Sequence, residues 1–407
     1  MRRQAKRVAD PVTEFLRTEA AGGFALLVAA AVALIWVNSG AAESYESLWS
    51  NELKIGWGEV AISEDLRHWV NDGLMALFFF VISLEIKREI ITGDLRRPRA
   101  AALPVLAALG GAIVPAAIFL AITSTGEGAR GWGIPMATDA AFAIGVLALL
   151  GNRVGTGVKL FLLTIAVVDD VAAICVIAVA YTAELSVGWL GLALVGLVAT
   201  ALLRRLGVVS VLAYVPLGLF VWIATLESGV HATIAGVALA LLTPARPVEG
   251  RKVLEELEEG LHPFTSFVVL PLFALANAGV EFGGDALSES DGTRVALAVA
   301  LGLVVGKFLG IAGMTIAALR LRLGSLPSGV DLRGVLGVAA LGGIGFTVSL
   351  FITPLAFGDQ VLVDSAKVGI LVGSVASALI GTAVLMLGGA RPGSGQEDVI
   401  EPARPST

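Results

Sequence analysis

The chain has 407 residues, 56% hydrophobic and 15% charged, with a mean hydropathy of +0.86 and a formal net charge of −6. Soluble domains run to about half apolar and a quarter charged. This composition therefore excludes an ordinary water-soluble enzyme, and no nucleic-acid partner is expected. The apolar residues fall in blocks separated by short polar stretches. A hydrocarbon layer about 30 Å thick demands such blocks, because a spanning helix needs roughly 20 apolar residues.

The basic start (Arg2, Arg3, Lys6, Arg7) leads into an apolar block with no A-x-A cleavage site. That block reads as a retained span rather than a signal peptide. The pattern predicts an all-α integral membrane protein of about twelve spans: 22–37, 67–86, 100–123, 133–150, 158–181, 187–203, 208–225, 230–243, 261–280, 294–319, 331–356 and 361–388. With the N-terminus in the cytoplasm and sides alternating, 22 of the 28 Lys and Arg fall inside and 5 outside, with Lys307 left within a span. Such a bias is what the positive-inside rule describes. It places both termini in the cytoplasm and the acidic stretch 281–291 outside. Residues 1–388 then form one polytopic domain. The Gly-, Pro- and Ser-rich tail 389–407 reads as disordered.

The one sizeable outer loop, 38–66, contains LWSNELKIGWGEVAI, whose partial alternation and Gly56/Gly58 point to a short hairpin. In the fourth span, GIPMATDAAFAIG places Pro135, Thr138 and Asp139 together. Pro135 cannot donate a helix hydrogen bond, and Thr and Asp favour caps. The expectation is a helix that breaks near its middle, and the simpler alternative is an N-cap at a membrane surface. An interrupted helix at membrane depth must line a polar cavity. The fifth span carries Asp169 and Asp170 at its centre. Neighbours on a helix lie about 100° apart, so the two carboxylates face different partners. The bland alternative is satisfaction by hydroxyls such as Thr164. Cys175, the sole cysteine, sits in the same span and reads as inert packing; no intramolecular disulfide can form.

Lys307 lies mid-span in the tenth segment, too deep to reach the interface. It needs a carboxylate partner or must lose its charge, and a structural salt bridge is the alternative to a mechanistic role. Three carboxylates and one ammonium in one cavity cannot all be charged at low cost. Two unit charges 4 Å apart interact by ~4 kcal/mol at an effective dielectric of 20. Such a site holds either protons or a small hard cation such as Na⁺ or Li⁺. In the eleventh span, Gly342, Gly343 and Gly345 predict a second break, or else close helix packing. Breaks in spans 4 and 11 would correspond if spans 3–5 and 10–12 are inverted repeats. There is no Walker A pattern, no metal-ligand cluster and no cofactor motif.

Several ordered motifs resemble the NhaA-type Na⁺/H⁺ antiporters: NDGLMALFFF (71–80), LEIKRE (84–89), PMATDAAFAIGVLALLG (135–151), VDD (168–170), SGVHATIAG (228–236), LPLFALANAG (270–279), GKFLGI (306–311) and GGIGFTVSLF (342–351). Inverted repeats with broken helices are a described layout of secondary transporters, and this family is one of the known instances. The resemblance implies that Asp169 and Asp170 bind cation and protons. Asp170 would be the main Na⁺ ligand, Asp169 the alternating partner of Lys307, and Thr138 a further ligand. It implies that Thr138 and Asp139 mark the helix crossing. It also implies pH sensing by Glu85, Arg88, Glu89 and Glu258, and a pH-linked role for His231; an ordinary solvated charge cluster is the alternative reading of the first four. Asp72 matches an acidic position without an assigned role. The expected protein is not an enzyme. It would exchange cytoplasmic Na⁺ or Li⁺ for external protons, electrogenically and under pH control, in a bacterial inner membrane. A homodimer through residues 45–58 is implied as well. A cation channel is the rival. An intramembrane aspartyl protease is disfavoured because its Y-D and G-x-G-D patterns are missing.

Overall fold

The structure is a computed structural model describing residues 2–57, 60–123, 126–182, 185–208, 210–248, 250–281 and 290–387. The expected disordered tail (389–407), most of the acidic stretch 281–291 and the turn at 58–59 lie outside the described residues.

Helix α1 (Arg2–Val37) is continuous, and its apolar, membrane-length part is Thr18–Val37, starting earlier than the expected 22. After it, α2 (Ala42–Trp49) docks through the Tyr45 hydroxyl, which donates to the carbonyls of Leu275 and Ala276. Strands β1 (Glu52–Trp57) and β2 (Val60–Asp65) form an antiparallel hairpin in which Glu52 pairs with Asp65 and Trp57 with Val60. A turn, α3 (Leu66–His68), and a π-helical segment (Trp69–Leu74) lead into α4 (Met75–Ile91).

The next group holds the interrupted spans. Helix α5 (Pro98–Ile122) precedes a 3₁₀ helix (Glu127–Met136), which is followed by α6 (Ala140–Leu149) and α7 (Thr156–Ala180). Then come α8 (Val187–Arg205), α9 (Val211–Leu226) and α10 (Thr233–Leu242). Two further spans each contain a π-helical turn. One is α11 (Val253–Phe264) and α12 (Leu270–Asn277) joined by Thr265–Val269; the other is α13 (Ser290–Leu301) and α14 (Lys307–Arg320) joined by Gly302–Gly306. Helices α15 (Leu332–Leu341), α16 (Phe346–Ala356) and α17 (Gln360–Leu387) complete the described chain.

By length and apolar character, seven segments among the described residues can cross a bilayer, or nine if each of two bent pairs is one span. Both bent pairs fall where breaks were expected: the 3₁₀ helix and α6 meet at 47°, and α15 and α16 at 41°. The other three of the twelve expected spans are occupied by α4 with its π-helical lead-in and by the shorter α9 and α10. With 10 residues, α10 reaches only about 15 Å at 1.5 Å per residue. Its C-terminal carbonyls are nevertheless satisfied. Lys87 of α4 donates to the Leu241 and Thr243 carbonyls, and Arg204 of α8 donates to that of Leu242 at 2.8 Å. A short helix is tolerated in this setting because neighbouring side chains take over its orphaned backbone groups. Cys175, expected as packing, lies on the exposed face of α7.

Small residues set the tightest helix contact, between α5 and α14. A Cβ on Gly310 would sit 2.1 Å from the Gly110 carbonyl oxygen, and one on Gly110 would sit 2.3 Å from that of Gly310. Close backbone approach of this kind replaces hydrophobic driving force in lipid. It also positions Lys307, one turn before Gly310. Gly310→Val should lower the melting temperature of the detergent-solubilised protein by several degrees, reflecting an overpacking penalty of about 1–3 kcal/mol. Gly313→Val, which meets nothing within 4 Å, should leave it unchanged.

Candidate ion-binding site

The fourth span breaks because its residues cannot continue a helix. Pro135 supplies no N–H, and Ala137 and Asp139 adopt extended backbone (ψ 151 and ψ 99). The eleventh span breaks over Gly342–Gly345. Here the expected break and the alternative of close packing both hold. A Cβ on Gly343 would come within 2.3 Å of the Leu303 carbonyl oxygen, and one on Gly345 within 2.4 Å of Ser349 Oγ.

The two breaks cross and are bonded together. The Asp139 N–H donates to the Ile344 carbonyl at 2.6 Å, and the Ser349 hydroxyl donates to the Ile134 carbonyl at 2.6 Å. Asp139 caps two helices at once. Its Oδ1 accepts from the Phe142 N–H of α6 at 2.9 Å, and its Oδ2 accepts from the Thr347 N–H of α16 at 2.9 Å and from the Thr347 hydroxyl. Two positive helix ends thus converge on one carboxylate, each carrying roughly half a charge. With three donors in place, most of the four or so acceptor positions of Asp139 are occupied.

Asp169 and Lys307 form an ion pair of 2.6 Å with both side chains fully buried. Thr138 binds this pair to the crossing. Lys307 Nζ lies 3.0 Å from the Thr138 hydroxyl, which is itself 2.6 Å from Asp169 Oδ2 and 2.9 Å from the Gly342 carbonyl. The hydroxyl has a single hydrogen, so it serves Asp169 or Gly342, one at a time. The other Asp169 oxygen, Oδ1, has no partner among the described residues. Lys307 directly follows the π-helical turn Gly302–Gly306, an irregularity frequent at functional sites.

Asp170 faces elsewhere, as a 100° step predicts. It lines a cavity with Thr138, Asp139 and Thr347 on one side and Phe78, Val81, Ile82 and Glu85 of α4 on the other. Among the described residues, no donor bonds its carboxylate. Thr164 does not satisfy either aspartate; its hydroxyl donates to Leu160 in its own helix.

The same cavity runs to Glu19 and His262, which are paired at 2.6 Å. Nearby, Arg88 binds Glu258 at 2.7 Å and stands 4.0 Å from Glu89. Glu85, Arg88, Glu89 and Glu258 are therefore gathered together, and one oxygen each of Glu85 and Glu258 is buried without a partner among the described residues. His231 is not among them; its ring contacts the Tyr181 carbonyl at the end of α7. Asp72 lies in the π-helical lead-in to α4, where its carbonyl accepts from Trp222 Nε1 at 2.8 Å. Glu19, His262 and Thr347 escaped the sequence reading. The only available signals were a lone carboxylate at the head of the first apolar block, the histidine in EELEEGLHP, and a threonine two residues past a glycine break.

A polytopic helical bundle whose two interrupted helices cross beside buried carboxylates and an ammonium is the architecture of a secondary ion transporter. Residues 13–385 match the family model described as Na⁺/H⁺ antiporter 1. The chain is 45% identical to a protein of Erythrobacter litoralis named Na(+)/H(+) antiporter NhaA 2, over 97% of this chain and 99% of that one. It is 43% identical to the NhaA 2 antiporter of Sorangium cellulosum, over 94% and 91% of the two chains, and 45% identical to the NhaA antiporter of Shewanella amazonensis, over 91% and 95%. The chain belongs to the Na⁺/H⁺ antiporter 1 family, a family of transporters rather than enzymes.

Proposed function

We propose that this protein exchanges cytoplasmic Na⁺ or Li⁺ for external protons by alternating access. One observation carries the reading: Asp170, with no donor among the described residues, lines a cavity at the helix crossing, one residue from the buried Asp169–Lys307 pair. A carboxylate without donors suits a hard cation or a proton, and cannot hold both. Na⁺ entering from the mouth is held by Asp170, with Thr138 and Asp169 as further oxygen ligands once Asp169 parts from Lys307. The crossed helices then move and the site opens to the other side. Protons at higher activity there displace the cation and return with the site. More than one proton per Na⁺ makes the cycle electrogenic, so the membrane potential drives it.

The charge bias of the loops supports an inner-membrane orientation with both termini and the cavity mouth in the cytoplasm. Glu85, Arg88, Glu89 and Glu258 at that mouth are the proposed pH-sensing cluster, with His231 a separate pH-linked position. Residues 1–388 act as one transport domain followed by a cytoplasmic tail. The hairpin, with Leu53 and Ile55 exposed, is the proposed contact of a homodimer.

The test is proton movement in everted vesicles on addition of Na⁺, Li⁺ or K⁺ across a pH series. Na⁺ and Li⁺ should each move protons and K⁺ should not. An equal response to K⁺ refutes the selectivity, and Na⁺ conduction uncoupled from protons identifies a channel instead.

A further inference from the structure

Tyr181 caps the C-terminal end of α7, more than two turns beyond Asp170. Its hydroxyl accepts the Gly133 N–H at 3.1 Å and donates to the Arg130 carbonyl at 2.9 Å. Its ring stacks on Trp132, with centroids 6.5 Å apart and planes inclined by 26°. A Cβ on Gly133 would sit 2.6 Å from the Tyr181 oxygen, so docking requires glycine there. The aspartate-bearing helix is thereby tied to the 3₁₀ half-helix that runs into Asp139.

The backbone of Tyr181 makes a contact in another direction. Its carbonyl meets His231 Nε2 at 2.5 Å. A carbonyl only accepts, so Nε2 carries the hydrogen. His231 lies two residues before α10, and α10 packs tightly on α4: a Cβ on Gly236 would lie 2.2 Å from the Ala76 carbonyl oxygen. Helix α4 forms the cavity wall facing Asp170. Tyr181 therefore joins α7, the half-helix and the α4–α10 wall at the end of α7 beyond its cavity-lining residues Leu163, Val167 and Asp170.

We infer that Tyr181 and His231 form a latch that keeps the far end of the transport path shut while the mouth is open. Tyr181 is a positioning residue: it touches no ion, and it holds α7 and the half-helix as a unit against the connector that carries His231. Opening the far side draws α7 away from α10 and breaks the His231–Tyr181 contact. The inference rests on the alternating-access reading above. Weakening the latch lowers the fraction of molecules open at the mouth, and the apparent affinity for Na⁺ at the mouth falls by the same factor.

The test uses the full-length protein with Cys175→Ser and a reporter thiol, Leu163→Cys, on the cavity lining. A membrane-impermeant maleimide is applied to everted vesicles, and Na⁺-driven proton movement is measured alongside. Tyr181→Phe and His231→Leu should each slow labelling about threefold and raise the KM for Na⁺ about threefold, with the maximal rate nearly unchanged. His231→Gln retains an N–H donor and should restore both values. Unchanged labelling and KM in Tyr181→Phe and His231→Leu overturn the latch, as does a His231→Gln that behaves like His231→Leu. Labelling reads the latch without transport. A reporter protein that labels normally but moves no protons on Na⁺ addition would sink the exchange reading instead.

Discussion

Asp170→Asn is expected to reduce Na⁺- and Li⁺-stimulated proton movement to background while leaving membrane abundance and thermal stability at the wild-type level. The amide is nearly isosteric with the carboxylate, and Asp170 makes no hydrogen bond among the described residues whose loss would unsettle the fold. What disappears is the negative charge. Without it, the cation loses its main anionic ligand, since Asp169 remains paired with Lys307, and position 170 has no proton to release in exchange. Asp139→Asn should behave differently. Asp139 accepts from two helix ends, so its replacement should weaken the crossing and lower stability along with transport. Vesicles containing Asp170→Asn that still move protons normally on Na⁺ addition would overturn the assignment of this carboxylate.

Lys307→Ala is expected to be the most destabilising single change at the site. It leaves Asp169 buried and unpaired, with Thr138 its remaining donor. Removing one partner of a buried ion pair generally costs about 3–5 kcal/mol, chiefly because the surviving charge is stranded. The detergent-solubilised variant should therefore melt well below wild type. The double variant Asp169→Asn/Lys307→Gln strands no charge and should recover much of the loss in stability without recovering exchange. If the double variant is no more stable than Lys307→Ala, the pair matters for packing rather than for charge. Thermal melts of Lys307→Ala, of the single variants Asp169→Asn and Lys307→Gln, and of the double variant decide this, since coupled residues give non-additive effects.

These two predictions draw on different kinds of information. That Asp169, Asp170 and Lys307 lie deep in apolar segments is legible in the chain, because a charge amid roughly 20 apolar residues is conspicuous. So are the two breaks: Pro135 withdraws a donor, and Gly342, Gly343 and Gly345 weaken the helix. The expected spans also fall where helices occur. Their lengths were less legible. The ten-residue α10 has no boundary signal of its own, because its end is stabilised by Lys87 and Arg204 from other helices.

That Asp169 rather than Asp170 pairs with Lys307 was implied by the resemblance alone and could not be derived from the residues themselves. A 100° step separates them, but which one meets Lys307 depends on the packing of α5, α7 and α14. The placement of His231 likewise depends on where the end of α7 lies, and that puts it far from the charge cluster at the cavity mouth. Glu19, His262 and Thr347 were missed because the faint signals they leave along the chain do not reveal their partners. Their roles come from partners 243, 243 and 208 positions away.

Residue order was thus enough to establish a polytopic helical carrier, to locate its buried charges and to place its two interruptions, since lipid imposes those patterns locally on each apolar segment. Which charges pair and which carboxylate lines the cavity depended on the crossing of distant helices. Those outcomes rest on distances of a few ångströms between segments far apart in the chain, and local physical chemistry holds no information about them.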